Sequence, residues 1–330
     1  MSVKKEAYLC LSAMLRAREN HLLSADRAVR MIEAENFEDA ARLLSECGYP
    51  DFSGSRTQEI DRDLSAHRAE IFGEMERLAP ESLYVDAFRM KYDYHNAKAV
   101  IKACAMETDA SHLLSRSGRF DPERLSADIT DEKLTDYPPA FAEAVINAKS
   151  TLAKTSNPQT ADLILDSAYY AELTGFAEAS ENSFFAGYVR LLADAANLKS
   201  AVRTMRMGKG DVFMEHVLVP GGSVDRDRIL AAKDGEELAS LFSTGKLAAA
   251  SEIAAEAVNG SGMTAFEKAC DNAVNTYLRQ AGLVSYGPET LVAYLASVEN
   301  EITAARMILT GKLSGVDGAV IRERLRELNA

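Results

Sequence analysis

Two stretches of this chain, "FRMKYDYHNAKAVIK" at 88–102 and "VRLLADAANLKSAVR" at 189–203, carry one polar pattern twice. Laying Asp93 on Asp194 also lays Phe88 on Val189, Arg89 on Arg190, Asn96 on Asn197, Lys98 on Lys199 and Lys102 on Arg203. Apolar residues recur at helical spacing through both stretches, so the repeated unit is predicted to be a long helix. At about 100° per residue, Arg89, Asp93 and Asn96 fall within about 60° of one another. They lie beside an apolar stripe of Met90, Tyr94, Ala97, Ile101 and Cys104, with Lys91, His95, Lys98 and Lys102 on the far, solvent-facing side. The triad is therefore predicted at the rim of the core. In isolation an Arg–Asp pair four apart contributes only about 0.2–0.5 kcal/mol, but losing one partner at a half-buried rim costs about 3 kcal/mol. Asn96 adds a donor and an acceptor able to reach a neighbouring helix or loop. Such a cluster fixes how the helices of a module pack; direct contact with a partner is the sharper alternative.

The repetition extends beyond these helices. "SGRFDPERL" (117–125) follows the first and "GGSVDRDRI" (221–229) the second, setting Gly118 over Gly222 and Asp121 over Asp225. A fainter third copy, "VAYLASVENEITAARMILTGKL" (292–313), puts Asn300 in the place of Asn197 and Arg306 in that of Arg203, while Ala293 and Ser297 replace the Arg and Asp. Shorter segments also match: "NFEDAARLL" (36–44) and "DGEELASLF" (234–242) each open with acidic residues, which suits the positive end of a helix dipole. Three modules of roughly 110 residues result, at 1–116, 117–219 and 220–330.

Turn signals such as "GYPDFSG" (48–54), "PGG" (220–222) and "NGSG" (259–262) punctuate the chain, and no proline occurs from 159 to 219. Strand-type alternation is not sustained anywhere, so the fold class is all-α. The 330 residues, 47% apolar and 26% charged, suffice for several helical domains. A formal charge of −13 has the wrong sign for a nucleic-acid or anionic-membrane binder. The basic, apolar start at 1–20 is broken early by Arg16, Arg18 and Glu19 and reads as an amphipathic helix, and no segment has the length of apolar sequence that spans a bilayer.

Familiar catalytic patterns do not emerge. Cys10, Cys47, Cys104 and Cys270 form no CxxC pair and read as reduced thiols. His21, His67, His95, His112 and His216 share no ligand spacing, and Asp93 and His95 lie too far apart around a helix to hold one metal. The Gly-Lys pairs at 208–209, 245–246 and 311–312 lack the upstream glycines of a phosphate loop and are predicted as helix C-terminal turns. No catalytic residue, metal site or cofactor is expected.

Taken in order, "YDYHNAK" (92–98), "VRLLADAANLKSAVR" leading to "VLVPGGSVD" (217–225), and the ending "YLASVENEITAARMILTGKLSGVDGAVIRERLRE" (294–327) resemble the C-subunit family of the bacterial and archaeal V-type (A-type) rotary ATPases, the counterpart of the eukaryotic d-subunit. The resemblance implies three similar helical domains arranged as a funnel about a pseudo-three-fold axis. It also implies a non-catalytic central-stalk adaptor, seated on the cytoplasmic end of the proteolipid rotor ring and receiving the shaft subunits. Membrane contact would then come only through the ring, with ATP handled by other subunits. Within that reading, Arg89, Asp93, Asn96, Arg190, Asp194, Asn197, Asn300 and Arg306 are expected as structural or partner-contact residues. A helical-repeat scaffold for peptides is the alternative, but its usual period of about 34–47 residues is shorter than the one found.

Overall fold

The computed structural model describes residues 4–328. Among the described residues every regular element is helical, so the all-α expectation holds. In chain order the α-helices begin with α1 (Leu9–Glu19), α2 (Ala25–Glu33), α3 (Phe37–Ser45), α4 (Thr57–Leu78) and α5 (Leu83–Met106). Next come α6 (Pro122–Asp131), α7 (Pro139–Thr155), α8 (Pro158–Ala179), α9 (Ser183–Arg206), α10 (Asp211–Val217), α11 (Arg226–Ala231) and α12 (Gly235–Phe242). The chain closes with α13 (Ala248–Ser251), α14 (Ala254–Val258), α15 (Met263–Leu278), α16 (Pro288–Leu313) and α17 (Gly318–Arg324).

Local chemistry sets many of these boundaries. Helices α6, α7, α8 and α16 open on a proline, whose missing N–H costs nothing in a first turn. Side chains of Ser24, Asn36, Asp121, Asn157, Asn182, Asp225 and Asp317 each accept an amide of the first turn that follows. The matched pair Asp121 and Asp225 is thus a pair of N-caps, on α6 and α11.

Of the Gly-Lys pairs, Gly208 behaves as predicted, taking φ +63 just after α9 while Lys209 N–H reaches back to Thr204 O at 3.1 Å. Gly311 does not. It lies inside α16, where a Cβ would collide with Ile321 of α17, and the left-handed residue is Gly315 at φ +68.

The chain forms two compact units. The first joins Met1–Val85 to Phe242–Ala330, and α16 runs through it against α1, α2, α3, α4, α15 and α17. Leu291, Leu295, Val298, Ile302, Ala305 and Ile308 line one side of α16 at most 1% exposed, and most of its first eleven residues are buried, as a central helix requires. The second unit is Asp86–Leu241, in which α8 packs on α7 and α9, and α10 rests on α8 and α9. Phe141, Leu165, Phe185 and Leu198 are fully buried there, and Tyr94 of α5 sets its ring edge-on to Phe141 at 5.1 Å.

These units cut across the sequence repeats, and the helix contacts show why. In the second unit Lys102 of α5 pairs with Asp162 of α8 at 3.2 Å; in the first, Arg306 of α16 pairs with Asp61 of α4 at 2.6 Å. Asp61 and Asp162 are each the fifth residue of a 22-residue helix. Lys102 and Arg306 occupy matching places in the repeat. In each unit, then, a long helix that carries the repeated pattern is tied to a 22-residue helix from another stretch of the chain. Both boundaries expected from the repeats, near 116 and 220, fall inside the second unit.

Candidate functional site

The repeated polar residues converge on backbone. The loop after α5 turns back and runs along that helix. Asn96 holds it at Ser115 from both sides: Asn96 Nδ2 donates to Ser115 O at 2.8 Å, and Ser115 N–H donates to Asn96 Oδ1 at 2.7 Å. One turn nearer the helix start, Asp93 Oδ1 accepts the N–H groups of Arg119 at 2.9 Å and Phe120 at 3.3 Å. A further turn back, Arg89 donates twice to Gly118 O, at 3.0 and 2.6 Å. Asp93 and Asn96 are fully buried. A helix face thus supplies, in order, the partners that a buried loop needs for its own amides and carbonyls.

The second copy repeats this. Asn197 Nδ2 donates to Val219 O at 2.9 Å and Val219 N–H donates to Asn197 Oδ1 at 2.7 Å. Asp194 Oδ1 accepts Ser223 N–H at 2.7 Å and Val224 N–H at 3.2 Å. The matched glycines complete the motif, because a Cβ on Gly118 would collide with Asp93 Oδ1 and one on Gly222 with Asp194 Oδ1. They are glycines because the loop passes directly over the carboxylate.

The copies differ in their last partner. Asp93 Oδ2 accepts Arg119 Nε at 2.6 Å, and Arg119 continues to Glu172 of α8 at 2.7 Å, whose other oxygen accepts the Tyr94 hydroxyl at 2.9 Å. Asp194 Oδ2 instead accepts the Ser223 hydroxyl at 2.5 Å. Burial pushes the Asp93 carboxyl up to about 6, against the pull of Arg119 and the two loop amides.

The third copy keeps only the asparagine. Asn300 Nδ2 donates to Glu327 O at 2.8 Å, joined there by Asn275 Nδ2 at 2.8 Å, while Glu327 N–H goes to Asn272 Oδ1 at 2.9 Å. Ser297, in the aspartate's place, turns its hydroxyl to Ala293 O of its own helix at 2.9 Å.

Two expectations change. Arg190 is exposed and has no hydrogen-bonding partner among the described residues, so the arginine's role does not carry from the first copy to the second. Lys98 and Lys102 do not simply face solvent; they pair with Asp166 and Asp162 of α8 at 2.6 and 3.2 Å, because another helix covers that side of α5. Arg119, Glu172 and Glu301 are not foreseen by the repeat pattern. Only Glu301 carries a local signal, as a carboxylate between Val298 and Ile302 on an apolar helix.

A buried loop clamp is thus used twice, with its asparagine used a third time, and each time it bonds a helix side chain to the backbone of a later segment. Among the described residues no group of His, Cys, Asp or Glu is placed to share a metal ion, and no helix is long and apolar enough to cross a membrane. The chain belongs to the ATP synthase (C/AC39) subunit family, whose model matches residues 11–324. It is 23% identical over 327 residues to the C-subunit of the V-type sodium ATPase of Enterococcus hirae, covering 96% of this chain and 98% of that one. It is 25% identical over 347 residues to the C-subunit of the A-type ATP synthase of Thermococcus onnurineus, covering 98% and 90%. The C-subunit of the V-type ATP synthase of Thermus thermophilus matches at 23% over 239 residues, 68% of this chain and 71% of its own.

Proposed function

We propose that this chain is the non-catalytic central-stalk adaptor of a rotary V-type ATPase or ATP synthase. It links the membrane rotor ring to the central shaft and passes torque between them, coupling ATP hydrolysis or synthesis on other subunits to H+ or Na+ transport. The observation that carries this reading is the family match, which runs along residues 11–324.

The geometry supports it mechanically. Torque passes through an adaptor only if its helices keep their register, and buried polar clusters that are fully satisfied specify one packing arrangement. In the loop clamps on α5 and α9 both side-chain polar atoms of each aspartate and asparagine are bonded, with Nη2 of Arg119 in the first clamp left without a partner among the described residues, and ion pairs at matching places tie α5 to α8 and α16 to α4. The repetition favours three similar helical modules, and the family resemblance implies their arrangement as a funnel about a pseudo-three-fold axis. Peripheral attachment to the membrane through the ring follows from the role.

Assembly tests the reading. With the ring and shaft subunits co-expressed, tagged chain is expected to recover both, and its deletion is expected to uncouple ATP turnover from ion transport. A motor that assembles and stays coupled without this chain overturns the proposal.

A further inference from the structure

Helix α16 carries a carboxylate outside the repeated pattern. Glu301 is 3% exposed, and its two oxygens fasten two distant pieces of the first unit. Oε2 accepts the Leu23 N–H at 2.7 Å, at the corner between α1 and α2; Oε1 accepts the Tyr49 hydroxyl at 2.6 Å, in the loop between α3 and α4. The Tyr49 ring lies on His67 of α4, with centroids 4.3 Å apart. One side chain thus holds the α1–α2 corner and the α3–α4 loop onto the central helix.

The neighbouring charges are committed elsewhere. No ion pair joins Glu301 to a cation among the described residues. From α2, Arg27 reaches the buried Cys47 Sγ at 3.5 Å, and Glu33 is paired with Arg322 of α17 at 2.7 Å. On α1, Arg18 is held by Glu74 of α4 at 2.6 Å and also bonds Tyr294 of α16. On α4, Arg68 faces Glu299 at 3.7 Å and Asp61 takes Arg306 of α16. Arg42 of α3 pairs with Asp39, Asp271 of α15 with Arg326, and Lys312 of α16 donates to Ala34 O. Tyr49, Cys47 and Tyr294 each feel the charge of this carboxyl, and burial holds all three above their usual values.

An ionised carboxylate in such a place lacks a counter-charge and has two hydrogen bonds to replace its water. We propose that Glu301 is a pH-dependent fastener. Protonated, it keeps one oxygen for the Leu23 amide and shares its proton with Tyr49; ionised, it is relieved by opening the α1–α2 corner to water.

Burial pushes Glu301 up to about 7, against the Tyr49 hydroxyl and the Leu23 amide, which favour the charged form. The sign follows from linkage. The folded value lies above the ordinary 4.5, so the stabilisation is complete below about 4.5 and is lost as pH rises through about 7. This device belongs to the first unit alone and does not depend on the adaptor role.

Hydrogen exchange of the full chain, corrected for the intrinsic pH dependence of amide chemistry, reads it directly. In the wild type the opening constant of the segment around Leu23 is expected to rise by up to about tenfold per pH unit across that window. In Glu301→Gln it is expected to stay flat. Tyr49→Phe removes a donor to the charged form and is expected to move the transition to higher pH. Protection that ignores pH in the wild type, or a Gln variant that keeps the full dependence, overturns the proposal. Should the Gln variant not fold, Tyr49→Phe decides alone: an alkaline shift supports the fastener, and an unmoved midpoint refutes it.

Discussion

The clamps on α5 and α9 do the same backbone work with different final partners. Both aspartates take two loop amides and both asparagines grip one residue twice, yet Asp93 adds an ion pair to Arg119 where Asp194 adds only the Ser223 hydroxyl. What the two copies share is the task of satisfying a loop that lies on a helix. The charge on that loop is an addition in the first copy, one that ties α5 to α8 through Glu172. The difference teaches that the repeat encodes the holding of backbone, and that ion pairs around it are free to vary.

The largest test of that contrast is loss of the carboxylate. Asp93→Ala leaves Arg119 partly uncompensated in a buried place and is expected to cost about 3–5 kcal/mol. Asp194→Ala deprives two amides and a hydroxyl of their acceptor and is expected to cost about 1–3 kcal/mol. Urea unfolding monitored by circular dichroism measures both. Adding Arg119→Met to Asp93→Ala should recover part of the first loss, and equal costs for the two single variants would erase the distinction drawn between the clamps.

A smaller effect probes what the copies have in common. Gly118→Ala and Gly222→Ala each place a methyl against the clamping carboxylate and are expected to cost about 1–3 kcal/mol, alike in both copies. Gly175→Ala in α8 is the control. Its Cβ meets nothing within 4 Å and the site is helical, so a gain of about 0.4–1 kcal/mol is expected. A harmless Gly222→Ala would show that only the first loop lies hard against its aspartate.

Much of this was legible in the sequence, and the limits were physical. Periodicity exposed the helices, and the offset between Asp93 and Asp194 exposed the repeat, because both are local patterns. The match of Gly118 with Gly222 and of Asp121 with Asp225 already marked the loop and the cap that the clamps require. That the polar triad grips the following loop could not be read from helix geometry, which gives a side chain's direction and not what lies there. Arg119 and Glu172 escaped because their partners are 26 and 53 residues away along the chain and no spacing rule links them. Arg190 misled for the opposite reason, since its sequence place matches Arg89 while its surroundings do not. The compact units were hidden likewise, because the first joins two stretches of chain that lie far apart in sequence.

The smallest effect sharpens the comparison between the two units. Lys102–Asp162 and Arg306–Asp61 sit at matching places, and their side chains are 33–49% exposed. Solvent screens such pairs, so each coupling energy from a double-mutant cycle to Ala is expected to be about 0.2–1 kcal/mol and to shrink with added salt. Their equality matters more than their size. Repeats that pack by one rule in both units should give couplings that agree within about 0.5 kcal/mol, the usual scatter for independent sites. A coupling present at one junction and absent at the other would mean that the matching positions reflect shared sequence ancestry without shared packing. The fixed helix register of the proposed function would then rest on the buried clamps alone.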